Sequence, residues 1–402
     1  MLITPFSLSR LPQIHFGAGS LSRLTPCMLQ HGRTALVITG RQSFIQTPHW
    51  QTLQQEWAAA GITWHLLHVS GEPSPQWVDQ AVADYRDSQI DIVVGIGGGS
   101  ALDAAKAVAG LLPSGHSVMD YLEGVGKGFE YTGPATPLIA VPTTAGTGSE
   151  ATKNAVLSVQ GAEGFKKSFR HDALVPHTAI VDPDLLRDCP KSLIAANGMD
   201  AFTQLLESYV SSNASVLTDS LAWSGMQAFC AGFWSAWEAD HPQAGLPQAE
   251  SGFSQLAYAS MMSGITLAQA GLGSVHGLAS PLGAFFPIPH GVVCGTLLAE
   301  ATAMNIAALQ ARAADSAALR KYAQVGRLLT DNAALSDKQA LEALVDLLRE
   351  WVARLNLPRL HQFGMTTDDF TRVVANARGG SMKTNPILLT DAELQEILSI
   401  RF

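Results

Sequence analysis

The chain has 402 residues, 47% hydrophobic and 15% charged, with a formal net charge of -9, so it has the length and apolar content to bury a large core in two or three ordinary domains. That acidic balance argues against nucleic acid or an anionic membrane surface as a general partner, and no apolar run reaches the ~18 residues of a membrane helix. The start, MLITPFSLSRLPQ, lacks the basic-then-apolar shape of a signal peptide, and a cytoplasmic location is expected.

Strand and helix patterns alternate through the first half. Gln13 to Gly17 reads as a short extended segment, followed by a helix from Ser20. Thr34 to Thr39, ending at Gly40, reads as a buried parallel strand, Gln54 to Ala60 as a helix, and Thr63 to Val69 as a strand. Trp77 to Ser88 is a helix and Ile90 to Ile96 a third strand. The alternation predicts an α/β domain with a mostly parallel sheet over residues 1–188.

The third strand runs into Gly97-Gly-Gly-Ser-Ala-Leu-Asp103 and a helix through Ala109. Glycines there let the backbone approach a ligand, and the helix start offers free N–H groups to a pyrophosphate, although the spacing is not the GxGxxG fingerprint. A fourth strand, Pro137 to Val141, leads into Pro142-Thr-Thr-Ala-Gly-Thr-Gly-Ser-Glu150. The hydroxyls of Thr143, Thr144, Thr147 and Ser149 make that loop able to bond phosphate, ribose or carboxamide oxygens, and Ala179 to Pro183 closes this half.

From about Pro190 apolar residues recur at i, i+3, i+4, predicting helices over Ser192–Ser211, Val216–Trp237, Ser254–Ala268, Ala299–Asp331, Asp337–Leu355 and Thr367–Ala377. Residues 189–402 therefore read as an all-α domain. Asp200 and Gln204, at i and i+4, share one face of its first helix. His276 and His290 come from the apolar, glycine-rich stretch Gly271 to Gly291, the second in a rigid loop or at a helix start after Pro289. One carboxylate, one amide oxygen and two imidazoles suit a divalent first-row metal with an open position. Taken separately, the same residues are satisfied buried histidines and a surface glutamine. Cys27, Cys189, Cys230 and Cys294 have no CxxC spacing and read as isolated thiols. Cys294, four residues past His290, is within reach of such a metal but reads first as a small packed thiol.

These stretches resemble the iron-containing (group III) alcohol dehydrogenase family, which has the dehydroquinate synthase-like fold. In that family an Asp and three His bind the metal within Gly-x-Asp-Ala-x-x-His, His-x-x-x-His-x-x-Gly and a further His-Gly. Asp200, His276 and His290 match, whereas Gln204 stands where the second ligand is His and Ser280 where a further His lies near the nicotinamide. The resemblance implies a divalent metal, Fe2+ ahead of Zn2+, at Asp200, Gln204, His276 and His290, with Asp200, His276 and His290 as the catalytic set. GGGSxxDxxK, which matches through Asp103 and Lys106, and TTxGTGSE are the family's cofactor motifs. They imply NAD(H) or NADP(H) contacts at Gly40, Gly98, Gly99, Ser100, Asp103, Thr143, Thr144, Thr152 and Lys166. The activity implied is hydride transfer between nicotinamide C4 and the carbonyl carbon of a small aldehyde or ketone, in a homodimer or higher homo-oligomer paired through the N-terminal strand.

Relatives of the same fold also include metal-independent reductases resembling maleylacetate reductase and lyases resembling dehydroquinate synthase; a binding or regulatory protein with a site decayed at Gln204 and Ser280 is the third expectation. Two finer expectations concern specificity. Many relatives end the strand at position 40 with Asp, which binds the adenosine ribose and repels a 2′-phosphate, so Gly40 beside Arg41 and Ser43 predicts that NADP(H) is admitted or preferred. In the tail, Ala377-Arg-Gly-Gly-Ser-Met-Lys-Thr-Asn-Pro386, the residues Arg378, Ser381 and Lys383 form a receptor for an anionic group if the loop folds over the site near His276. The preferred aldehyde would then carry a carboxylate, sulfonate or phosphonate. The plainer reading is a solvated basic loop, or one that touches the cofactor phosphate.

Overall fold

Strands that are apolar on both faces need cover on both faces, and this chain meets that need with a six-stranded parallel sheet flanked by helices. The computed structural model describes residue 3, residues 5–239 and residues 247–402. The strands are β1 (Gln13–Phe16), β2 (Thr34–Gly40), β3 (Thr63–Val69), β4 (Ile92–Gly97), β5 (Leu138–Pro142), β6 (Asn154–Val159), β7 (Phe165–Arg170) and β8 (Thr178–Val181). In space the sheet runs β1-β8-β5-β4-β2-β3, and β6 and β7 form a separate antiparallel hairpin. Along β2 the alternate residues Ala35 and Val37 enter one apolar cluster while Leu36 and Ile38 enter the other, so the sheet separates two cores. One contains a triad of edge-to-face tryptophans, Trp50, Trp57 and Trp64.

Helices α1 (Leu24–Leu29), α2 (Pro48–Ala60), α3 (Pro75–Tyr85) and α4 (Gly99–Leu111) connect the strands. β3 lies on one side of β2 and β4 on the other, which makes the ends of β2 and β4 the point where strand order reverses. In open α/β sheets that crevice receives ligands. Gly40 ends β2 and Gly97 ends β4.

The rest is helical: α5 (Lys191–Val210), α6 (Val216–Glu238), α7 (Pro247–Ala270), α8 (Ser274–Phe285), α9 (His290–Arg312), α10 (Ala317–Leu329), α11 (Asp337–Arg354), α12 (Asp369–Asn376) and α13 (Asp391–Ile400). The sheet followed by a helical region agrees with the class expected from the sequence. Three details differ. The single helix expected over Ala299–Asp331 is two, because the chain leaves helical geometry after Arg312 and Ser316 caps α10 by accepting the Ala318 N–H at 3.2 Å. The β6–β7 hairpin was not anticipated, since Lys166 and Lys167 interrupt apolar alternation in β7. Nor was α13, although Thr390 and Glu393 form a capping box at its start. Among the described residues one helix, α9, is long and apolar enough to cross a membrane, and most of it is buried in the protein.

The helical region docks on the sheet through two glycines. A Cβ on Gly264 of α7 would lie 2.1 Å from the carbonyl oxygen of Gly148, in the loop after β5, so backbone meets backbone there. A methyl group at this contact must push the two regions apart. We expect Gly264→Ala to lower the unfolding free energy by about 1–3 kcal/mol, the usual cost of overpacking, measured from the urea midpoint at constant slope. An unchanged midpoint would mean that the contact yields freely.

Candidate metal centre and cofactor loops

The centre is built on α5, which is buried along nearly its whole length. Asp200 and Glu207 lie seven residues, about two turns, apart on it, so both project from one face. Glu207 is the residue that sequence reasoning missed, although a carboxylate continuing the Asp200–Gln204 stripe in an apolar helix was a visible signal. Its Oε1 accepts the Val275 N–H at 2.7 Å, satisfying a free amide at the start of α8, and its Oε2 lies 2.6 Å from Nδ1 of His276. Asn385 assists by accepting the Ser274 N–H at 2.9 Å. The Asn-Pro motif of the tail therefore anchors α8. With Nδ1 facing a carboxylate, His276 turns Nε2 inward, 3.3 Å from Oδ1 of Asp200. His290 is the first residue of α9, and its Nε2 lies 3.7 Å from the same oxygen.

Asp200 and His276 are buried, while the His290 side chain keeps 26% exposure and borders the open side. Cys294, one turn further along α9, joins them: ligand atoms of Asp200, His276, His290 and Cys294 all fall within 4.8 Å of one another. The donor set fits a divalent metal. Nitrogen and oxygen ligands ~2.0–2.1 Å from a tetrahedral ion stand about 3.3 Å apart, against the observed 3.3 and 3.7 Å.

Electrostatics agree with that fit. Burial alone would raise the Asp200 carboxyl, yet His290 and His276 hold it down to about 2. Burial, with Lys166 nearby, depresses His290 to about 4, which leaves a neutral imidazole with a lone pair to give. Burial works against protonation of His276, but Cys294 and Glu207 outweigh it and raise its pKa well above the ordinary value. A bound cation competes with that proton.

The fourth expected ligand sits differently. Gln204 is buried, and its Oε1 accepts the Ser263 hydroxyl at 2.8 Å; the same hydroxyl lies 3.3 Å from the Gly146 carbonyl. It thus connects α5 to α7 and the loop after β5.

The loops at the ends of β4 and β5 pack on each other. A Cβ on Gly99 would lie 2.8 Å from Thr147, too close without a shift, and one on Gly98 would sit tightly, 3.2 Å from the Thr144 hydroxyl. Gly98, Gly99 and Ser100 form the start of α4, and Thr143 bonds back through its N–H to Gly97. Asp103 and Thr152 face inward. The fully buried Lys106 reaches Asp103 at 3.0 Å, the Thr152 hydroxyl at 2.8 Å and the Asn154 carbonyl at 2.6 Å, and Asp103 accepts from Ser149. The side chains of Asp103 and Thr152 are committed to that network, which fixes the loops. Lys166 pairs with Glu72, and its carbonyl accepts the Ser280 hydroxyl at 3.0 Å, so the hairpin lies on α8, the helix that carries His276.

Of the three residues expected to form an anion receptor, Arg378 has a partner of its own. Its guanidinium pairs with Asp391 and donates to the Leu389 carbonyl at 2.7 Å, so it is occupied at the start of α13. Lys383 is exposed on a short turn whose neighbour Met382 packs against Gly277. A cavity of about 500 Å³ lies apart from all these residues, lined by Thr296, Glu300, Arg349, Arg359, Gln362 and Arg401.

Comparison with known proteins gives consistent matches along the whole chain. The family model described as iron-containing alcohol dehydrogenase matches residues 12–183, and the model for the C-terminal part of the Fe-containing alcohol dehydrogenase family matches residues 194–402. Long-chain-alcohol dehydrogenase 1 of Geobacillus thermodenitrificans is 31% identical over 397 residues, covering 97% of this chain and 95% of that protein. Lactaldehyde reductase of Escherichia coli is 31% identical over 297 residues, 72% of this chain and 73% of that protein. The crystal structure of a 1,3-propanediol oxidoreductase superposes with a TM-score of 0.87 at 28% identity, covering 99% of this chain and 100% of that one.

Outer-shell partners of ligating histidines commonly contribute 10–100-fold to metal affinity. Glu207→Gln keeps the shape and removes the charge, and we expect it to weaken metal binding by about 10-fold or more in chelator competition. Undiminished affinity would mean that a neutral acceptor orients His276 equally well.

Proposed function

Since this chain belongs to the iron-containing alcohol dehydrogenase family, we propose that it is a metal-dependent oxidoreductase that moves a hydride between NAD(P)(H) and a small alcohol or aldehyde. The observation that carries the reading is the convergence of Asp200, His276 and His290 at separations suited to one divalent ion. Residues 1–188 form the cofactor-binding half and residues 189–402 the metal-binding half of this proposal.

When bound, the metal supplies a Lewis acid that polarises a carbonyl oxygen in reduction and lowers the alcohol's pKa in oxidation, and the nicotinamide carries the hydride. The chain's own residues supply geometry and charge. Asp200 brings one negative charge into an apolar setting, and His276 and His290 offer nitrogen lone pairs without further charge. Glu207 holds the His276 ring by its Nδ1 hydrogen, so Nε2 is always the inward nitrogen. Gly98, Gly99 and Ser100 would offer the α4 N-terminus to the cofactor's pyrophosphate, with Thr143 and Thr144 in the adjoining loop and Lys106 bracing the loops from behind. Lys166, paired with Glu72, lies against Gly283 of α8.

Two finer features follow. Arg378 is paired with Asp391, which leaves Lys383 as the exposed cation of the tail loop for an anionic aldehyde to meet. β1 pairs only with β8 among the described strands and leaves one sheet edge open, which supports a homodimer.

The test is cofactor oxidation with propanal, beside an aldehyde of similar size bearing a carboxylate, on protein of measured metal content. Chelation and His276→Ala should each remove the metal and cut kcat/KM by more than about 100-fold, the upper end of what an outer-shell loss costs. Full turnover without metal would sink the proposal.

Cofactor choice is a separate expectation. Gly40 offers no carboxylate, and Arg41 and Ser43 are exposed beside it. A contact from Arg41 to a 2′-phosphate is worth about 1.5–3 kcal/mol, or roughly 10–100-fold, in favour of NADPH. A Cβ on Gly40 meets nothing within 4 Å, so Gly40→Asp fits without distortion and should reverse the ratio. Measured kcat/KM values that favour NADH in the parent enzyme would rule the preference out.

A further inference from the structure

The centre has a fourth donor that the family pattern does not supply. We infer that Cys294 is a thiolate ligand of the metal, standing in for the imidazole absent at position 204, and that the centre is an Asp-His-His-Cys site suited to Zn2+. The inference rests on the metal-dependent reading above and deepens it.

Geometry carries it. A tetrahedral ion with sulfur at ~2.3 Å and nitrogen at ~2.0–2.1 Å sets sulfur and nitrogen about 3.6 Å apart. Sγ of Cys294 lies 3.6 Å from Nε2 of His276 and 3.8 Å from Nε2 of His290. Both imidazoles turn toward this sulfur the same nitrogen that they turn toward Asp200. Packing alone does not require that agreement. A carboxylate oxygen, two imidazole nitrogens and a sulfur thus lie within 4.8 Å of one another.

Gln204 is the weaker candidate for the fourth position. Its oxygen already accepts a hydrogen bond from Ser263, which turns it toward the Gly146 loop. Among the described residues Cys294 has no such commitment elsewhere; its sulfur partners are His276 and His290. A coordinating thiol is deprotonated outright by the metal, and soft thiolate ligands select Zn2+ over harder alternatives. Asp and Cys together also neutralise the ion's two charges, whereas Asp with a neutral amide would leave one uncompensated.

The test is optical. The full chain is stripped with a chelator and loaded with Co2+, and the near-ultraviolet spectrum is examined for the thiolate-to-cobalt charge-transfer band. The expected result is a band in the parent protein that persists in Gln204→Ala and is lost in Cys294→Ser, together with at least about a 10-fold loss of Zn2+ affinity in the serine variant by chelator competition. The parent spectrum needs no substitution, so a folding defect in one variant cannot decide the matter. Cobalt that binds without the band, in a protein where His276→Ala still prevents loading, overturns the Cys294 assignment and leaves the metal-dependent reading standing. A band that survives Cys294→Ser also overturns it. Failure of cobalt to bind at all overturns both.

Discussion

One buried carboxylate organises the centre. Glu207 accepts the amide of Val275 with one oxygen and faces Nδ1 of His276 with the other, so the interaction that starts α8 also aims its histidine. Burying a carboxylate is costly unless its oxygens are satisfied. Here one oxygen takes a free amide of a helix N-terminus, where negative charge is favoured, and the second takes a ring N–H. His276 on α8 is thereby referred to α5, the helix that carries Asp200. His290 is brought to the same point by a different device, the rigid Pro289 that makes it the first residue of α9.

The second dependence runs from this centre to the sheet. α7 touches the loop after β5 backbone to backbone at Gly264 and Gly148, and Ser263 beside that contact lies within hydrogen-bond reach of Gly146 and Gln204. Behind the loop, Lys106 is fully buried, and burial lowers its pKa despite Asp103. Its three oxygen partners come from α4, from the turn after β5 and from the start of β6. The loops expected to meet the cofactor are thus clamped from the sheet side by one cation and from the helical side by a glycine contact. A hydride donor and a polarised carbonyl must meet at fixed distance, and two regions joined this way can supply that precision.

Much of this was legible in the sequence, and what was not has physical reasons. Continuous apolar runs announced β2, β4 and β5, because a strand covered on both faces leaves no polar residue to confuse the reading. Asp200, His276 and His290 stood out as polar groups in apolar surroundings. Glu207 did not, since on a helix of unknown burial a glutamate is ordinarily a solvated residue. Cys294 read as packing because a lone thiol in an apolar stretch usually is packing, and only its distances to the two Nε2 atoms separate the cases. Arg378 read as a free cation because its partner Asp391 belongs to α13, a helix whose capping box was passed over. The β6–β7 hairpin escaped because Lys166 points toward Glu72 and α8 instead of solvent, a tertiary demand that strand periodicity does not record.

The departures at Gln204 and Ser280 also bear on whether the centre is kept or lost. In a decaying site nothing would preserve paired costs, and a protein without a cation there would be free to replace Asp200 and Glu207 with apolar residues, often with a gain in stability. Both carboxylates remain almost wholly buried, and both face the same histidine. Gln204 is integrated into a hydrogen bond with Ser263, and Ser280 into one with the Lys166 carbonyl that holds the hairpin to α8. Each substituted residue thus has a structural partner, and neither leaves an unsatisfied gap in the wall. The cluster thus keeps its buried carboxylates and gives its changed positions partners, and the divalent cation proposed above would balance that charge.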